Sequence, residues 1–237
     1  MLLLRHNIDG NASYLLGESY IGRRWLFFPV GIAVKTPIPL LIVAVTGTMF
    51  AVNRWWNRKG MAWFFPIAPI VAPLGVACAS SINLGTRHVL PIFPAMAMLG
   101  GIGGVWMYRR AKTGRIVAVL LAFWMLLGTW RVHPDYLAYF NELAVNDPGA
   151  ILVESDLDWG QDLERLADTM PARGITDLSI AYYGSSDRLN QLFPNARLVG
   201  PSETQPTGWF AVSETRYRRG WPPRVGGIVV APPDSLK

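Results

Sequence analysis

The sequence predicts an α-helical integral membrane protein with about four transmembrane helices, followed by a small α/β extracytoplasmic domain. Three observations carry this. Of 237 residues, 51% are hydrophobic and 16% charged, whereas a soluble domain has roughly a quarter of its residues charged. The apolar residues crowd between Trp25 and Trp130, and ten Trp is a high count for a side chain that favours membrane interfaces. Charge divides the same way: residues 1–130 balance at +10 and residues 131–237 at −4, which together give the net +6.

Residues 1–24 are mixed and polar, with Gly10, Gly17 and Gly22, and read as an outer-face loop or short helix. Met1 to Leu4 is too short for a signal peptide. A polar start of this kind looks like the middle of something longer. The transmembrane region is 25–130. Trp25 to Val52 exceeds the roughly 20 residues that a span needs, and Pro37 and Pro39 disturb a helix there. The stretch therefore splits: Trp25 to Val34 lies along the interface or opens the helix, and about 38–52 crosses. Lys35 then sits near the outer headgroups.

The second span is 61–79, kinked by Pro66, Pro69 and Pro73. The third is 89–108, where Gly100 and Gly104 form a small-xxx-small pair and Gly101 and Gly103 widen that smooth face, as close helix packing needs. The fourth is 116–130. Arg54, Arg58 and Lys59 lie in one loop and Arg109, Arg110, Lys112 and Arg115 in another, while the loop at Arg87 is weakly charged. The positive-inside rule puts the two basic loops in the cytoplasm. The Arg87 loop and everything after residue 130 then lie outside. This is the arrangement of an integral membrane protein with an extracytoplasmic C-terminal domain. The basic residues flank apolar segments and meet membrane lipid, so the pI near 9.7 does not indicate nucleic acid.

The domain at 131–237 reads as alternating strand and helix. Ile151 to Val153 is a short buried strand. Asp158 is placed as an N-cap with Gln161 three residues on, a capping-box spacing. Leu163, Leu166, Ala167 and Met170 recur at helical spacing, and Gly174 ends that helix. Leu178 to Tyr182 is a strand. Ser186 or Asp187 caps a helix to about Phe193. Gly208 to Ser213 and Gly226 to Ala231 are further strands.

Two places could carry chemistry. Arg87 and His88 stand where hydrocarbon begins, with Lys35 near the same surface. A cation at that depth either snorkels from a helix end or receives an anion, and both readings stand. The fitting anion is a phosphate anchored in the bilayer, for which Arg offers a fork and Lys a point charge. The second place is the acidic run Asp156, Asp158 and Asp162 around Trp159 and Gln161. Its carboxylates could hold a divalent metal through oxygen, or could serve the N-terminus of a helix. His6, His88 and His133 have no metal-ligand spacing. Cys78 is the only cysteine, so no intrachain disulfide is possible. No phosphate loop, dinucleotide fingerprint or nucleophile elbow is present.

Four stretches in this order carry a resemblance: Lys35-Thr36-Pro37, then Asn83 to Pro94, then Tyr139-Phe140-Asn141-Glu142-Leu143, then Asp156 to Leu163 with its Asp-Trp-Gly-Gln-Asp core. The combination resembles bacterial membrane glycosyltransferases of the protein-mannosyltransferase-like group (glycosyltransferase family 39-like), which have the GT-C architecture. It covers about Tyr14 to Ser213. The resemblance implies a transferase that takes a sugar from a polyprenyl-phosphate donor on the outer face of the membrane and passes it to an acceptor there. It also implies many more spans, and a catalytic acidic residue in a first outer loop, without counterpart here. The expectation is therefore the C-terminal part of such an enzyme, working with a missing N-terminal half. Only Arg87, His88 and Lys35 carry over, as residues near the donor phosphate. Two alternatives belong to other classes. One is a non-enzymatic, membrane-anchored module that binds a glycan or a protein. The other is a transporter fragment, disfavoured because its charges would lie at midplane and these lie at interfaces.

Overall fold

The computed structural model describes residues 12–58, 61–83, 85–144, 146–184, 186–200 and 208–219. The chain is mostly helical with small sheets. It divides into two compact units: Met1–Ser13 with Tyr20–Asn146, and Tyr14–Ser19 with Asp147–Lys237. The division falls after Asn146, later than the 130/131 boundary read from the sequence.

Where a loop or short helix was expected at 1–24, residues 12–21 form a hairpin of β1 (Ala12–Leu15) and β2 (Glu18–Ile21). Leu16 and Gly17 both have positive φ, +52° and +88°, as a two-residue hairpin turn requires. A Leu in that position gives no sequence signal, which is why the hairpin was missed.

Among its described residues the first unit holds five α-helices. α1 (Phe27–Lys35) stops because Pro37 excludes helical geometry at the residue before it, and Thr36 is extended. α2 (Ile38–Arg58) then accommodates Pro39 in its first turn. After the 3-10 turn Met61–Trp63 comes α3 (Ala68–Ala79), so the helix expected over 61–79 is broken at its start. α3 has 12 residues, or roughly 18 Å of rise, too short to span alone. α4 (Ile92–Arg110) and α5 (Lys112–Val132) follow, separated by the extended Ala111. Among the described residues two helices are long and apolar enough to cross a membrane, Ile38–Asn57 within α2 and Lys112–Val132. α5 is exposed along nearly its whole apolar length, with Leu120, Phe123, Leu126 and Trp130 uncovered.

α2 and α4 pack closely through glycine. A Cβ on Gly47 would overlap the Leu99 carbonyl, and one on Gly103 would overlap the Val43 carbonyl. The contacts advance together along both helices, from Val43 beside Gly100, through Gly47 beside Gly103, to Phe50 beside Trp106. The two helices are therefore parallel, and the chain from 59 to 91 must return the full distance between them. Of the four glycines expected to form one smooth face, Gly100 and Gly103 meet α2, and Gly101 and Gly104 do not. Gly100 meets Leu40 and Val43, while Gly104 meets nothing within 4 Å.

The second unit contains a parallel sheet in the order β4–β3–β5, formed by β3 (Leu178–Ala181), β4 (Arg197–Leu198) and β5 (Trp209–Val212). β3 is central and fully buried. α6 (Leu163–Ala172) and α7 (Ser186–Leu192) cover one face, with Leu163, Leu178, Ile180, Leu189 and Phe193 in the core. Ala181, Val199 and Phe210 pack together separately. α8 (Glu214–Arg218) closes the described chain. Ile151 to Val153 is not the expected strand. The N–H groups of Ile151 and Leu152 both donate back to Pro148 O, at 3.0 and 3.1 Å, which makes a turn. The strand expected at 226–231 lies outside the described residues.

The α2–α4 contact makes a prediction. Gly47→Val should lose about 1–3 kcal/mol or more by overpacking, while Gly104→Ala should change little. Thermal melting of both variants in detergent checks this, and equal effects would contradict the packing.

Candidate functional site

In the first unit, three of the four stretches come together around α1. α1 ends in an apolar setting, where its last carbonyls need donors. Asn141 supplies them. Its side-chain amide donates to Ala33 O at 2.6 Å and to Thr36 O at 2.7 Å, and its backbone N–H donates to Val34 O at 2.8 Å. Asn141 is 1% exposed, so these bonds are shielded from water. Lys35, in the last turn of α1, donates through Nζ to Leu137 O at 2.8 Å and lies 4.3 Å from the centre of the Phe140 ring. The residues Lys35-Thr36-Pro37 and Tyr139 to Leu143 thus form one joint.

The third stretch meets the same helix. Gly85, at φ +108°, opens the 3-10 turn Thr86–Val89, and α1 packs on that turn. Arg87 and His88 are exposed on it, between buried Thr86 and Val89. Asn83, 1% exposed, anchors the loop. Its side-chain amide donates to Tyr20 Oη at 3.2 Å and to Gly22 O at 3.0 Å, and its carbonyl accepts from Ser13 Oγ at 2.6 Å. Two polar atoms here, Thr36 Oγ1 and Asn83 Oδ1, are buried with no hydrogen-bond partner among the described residues. Unsatisfied buried atoms are uncommon in native proteins and call for an explanation.

The next residue, Glu142, is exposed, and its Oε1 accepts from Trp124 Nε1 of α5 at 2.7 Å. Burial, helped by the Glu142 charge, pushes the Tyr139 hydroxyl up to about 12.

The acidic stretch lies in the second unit and corrects the sequence reading. Asp158 is not an N-cap, and Gln161 is not its capping-box partner. α6 begins at Leu163, with Asp162 at the cap position and no side-chain cap bond. Asp158 Oδ1 instead accepts from Gly160 N at 3.0 Å. Gln161 Oε1 accepts from Trp159 N at 2.9 Å, while its amide donates to Leu157 O at 2.8 Å. Gly160 has φ +91°, a conformation outside the helical region, and this delays the helix. A Cβ on Gly160 or Gly184 would overlap the Tyr182 hydroxyl. Asp162 pairs with Arg165 at 2.8 Å, Asp156 is buried, and Trp159 is 47% exposed.

No metal centre emerges: among the described residues, no group of three His, Cys, Asp or Glu is placed to hold an ion. His133 bonds Tyr136 Oη through Nδ1 at 3.0 Å, and His6 lies outside the described residues. A cleft of about 280 Å³ beside Met170, Ile175 and Phe193 contains none of the residues singled out from sequence.

Sequence reasoning missed an ion network in this unit. Arg218 Nη2 meets Asp147 Oδ1 at 2.5 Å, and its Nε meets Glu214 Oε1 at 2.7 Å. Burial opposes the Arg218 charge, but the bonds and charges of Glu214 and Asp147 outweigh it and hold its pKa above the usual value. Gly149 lies against it, where a Cβ would displace the ends of the Glu214 and Arg218 side chains. A sequence signal existed in Asp147-Pro148, an N-cap followed by Pro; Asp147 Oδ1 accepts from Ala150 N at 3.2 Å.

Compared with protein-family models, curated proteins and solved structures, the chain matches none.

Burial raises the Asp158 pKa above the ordinary carboxylate value; the Gly160 N–H opposes this, and the charges of Asp162 and Glu214 add to it. A carboxyl raised on folding favours the folded state while protonated and disfavours it once pH rises through the folded pKa. Asp158→Asn keeps the acceptor for Gly160. It should therefore stabilise β3 amides against exchange at pH 7, with the gain shrinking as pH falls toward 4. A gain that grew on acidification would contradict the burial account.

Proposed function

We propose that this chain is the C-terminal part of a membrane glycosyltransferase that uses a polyprenyl-phosphate-linked sugar on the outer face of a bacterial inner membrane. The observation that carries the reading is the joint at α1. Stretches more than a hundred residues apart, Lys35-Thr36-Pro37 and Tyr139 to Glu142, meet through the buried Asn141, and the Arg87 turn packs on the same helix. Arg87 and His88 are exposed on that turn, where a lipid-borne phosphate could meet them. The donor phosphate is received by Arg87 and His88, with Lys35 behind them. The orphaned Thr36 Oγ1 and Asn83 Oδ1 fit a neighbourhood completed by something further, namely ligand or the N-terminal half.

The four-span topology belongs to this proposal. Two helices are long and apolar enough to cross. The parallel run of α2 and α4 supports a return through 61–79, and α4 lies against α2 as an inner span. The basic residues at the ends of α2 and α4 and the start of α5 support the cytoplasmic side there. Trp159, held outward on a self-bonded loop, favours a second reading in which the C-terminal unit binds a glycan or protein without catalysis.

The test is binding of polyprenyl phosphate to the full chain in detergent. A charged hydrogen bond of this kind contributes about 1.5–3 kcal/mol, or roughly tenfold or more in affinity. Arg87→Ala should lose that much. Arg87→Lys should lose part, since it keeps charge but not the fork. Arg109→Ala, in the last turn of α4, should lose little. Unchanged binding in Arg87→Ala would leave Arg87 as a snorkelling residue.

A further inference from the structure

Glu142 has an unusual position for a carboxylate. Its partner Trp124 lies within the apolar run 116–130 of α5, a little over two turns before that helix ends at Val132. Asn141, the residue before Glu142, bonds to Ala33 O and Thr36 O, so this carboxylate stands beside the end of α1. Trp124 is the only hydrogen-bond donor to Glu142 among the described residues, and it engages one oxygen. A carboxylate accepts at both oxygens, and Glu142 is exposed.

The neighbourhood narrows what comes to it. Asn141, one residue earlier, bonds to Thr36 O, next to Lys35. The Lys35 ammonium, bonded to Leu137 O and over the Phe140 ring, is held by the same segment. A cation and a carboxylate on one segment suit a ligand with an anionic end and a group rich in hydroxyl donors. The half-exposed indole of Trp124 and the Tyr139 ring add flat apolar surface beside the carboxylate. The Tyr139 hydroxyl keeps its proton and can donate as well.

We propose that Glu142 recognises the sugar of the lipid-linked donor, its second carboxylate oxygen accepting hydrogen bonds from hydroxyls of a hexose carried on polyprenyl phosphate. This rests on the glycosyl-donor reading above and adds a specificity-determining residue to it. Arg87 and Lys35 read the phosphate, which every polyprenyl phosphate has. Glu142 reads what is attached to it.

The experiment compares two probes on the full chain in detergent: polyprenyl phosphate carrying a hexose, and bare polyprenyl phosphate. The parent should prefer the hexose-bearing lipid. Glu142→Gln keeps an oxygen for the Trp124 N–H but turns the other acceptor into a donor, so the local fold survives. It should bind the hexose-bearing lipid about tenfold more weakly, the cost of a charged hydrogen bond, and the bare lipid as the parent does. Glu142→Ala should do the same. Trp124→Phe, which loses the bond that positions the carboxylate, should fall between. If Glu142→Gln binds both lipids as the parent does, or weakens both equally, the sugar role is wrong while the donor reading stands. If the parent binds both lipids equally, the sugar role is likewise wrong. If the parent binds neither lipid, the donor reading falls and takes this inference with it.

Discussion

A helix that stops among apolar groups leaves carbonyl oxygens with no water to bond, and each buried acceptor left unsatisfied costs about 1–3 kcal/mol. Pro37 forces that situation at the end of α1. Asn141, arriving from the far side of four further helices, resolves it with one buried side chain and its own backbone N–H. The consequence reaches beyond the helix end. The segment 136–142 is held down, Lys35 is steered to the Leu137 carbonyl and the Phe140 ring, and Glu142 is delivered to Trp124. Cation and carboxylate are both placed by a residue that is itself uncharged.

The helices provide the frame for this joint. Gly47 and Gly103 bring the backbones of α2 and α4 into direct contact, the kind of approach that packing between membrane helices rewards. Because the two helices run parallel, their N-terminal ends lie at one level. The α1–α2 corner and the Thr86–Val89 turn sit at those ends, where α1 and the turn pack together. α5 is exposed along nearly its whole apolar length.

The broad division was legible from the sequence because it depends on bulk properties. Apolar runs between basic loops marked the helical part, and the alternation of strand and helix after Ile175 marked the parallel sheet around β3. The errors arose where a local bond outweighed a pattern. Ile151 to Val153 has strand composition, but Asp147-Pro148 nucleates a turn that captures its N–H groups. Asp158 and Gln161 have capping-box spacing, but Gly160, pressed against Tyr182, adopts a positive φ and turns both side chains back into the loop. At the site, the cations stood out because Arg87 and His88 border an apolar run of the sequence. Asn141 did not, because its role depends on α1, more than a hundred residues away, and no spacing rule reaches that far. Glu142 entered only as part of the Tyr139 to Leu143 stretch, because no spacing rule links it to Trp124.

The most direct measurement is hydrogen exchange on the full chain in detergent, comparing the parent with Asn141→Leu, which keeps the volume and removes the side-chain donors. If Asn141 is the joint, the parent protects the amides of residues 139–144. Asn141→Leu should then lose that protection, together with several degrees of thermal stability, while the α2–α4 pair stays protected. Equal protection of 139–144 in both proteins, with the same melting temperature, would contradict the account.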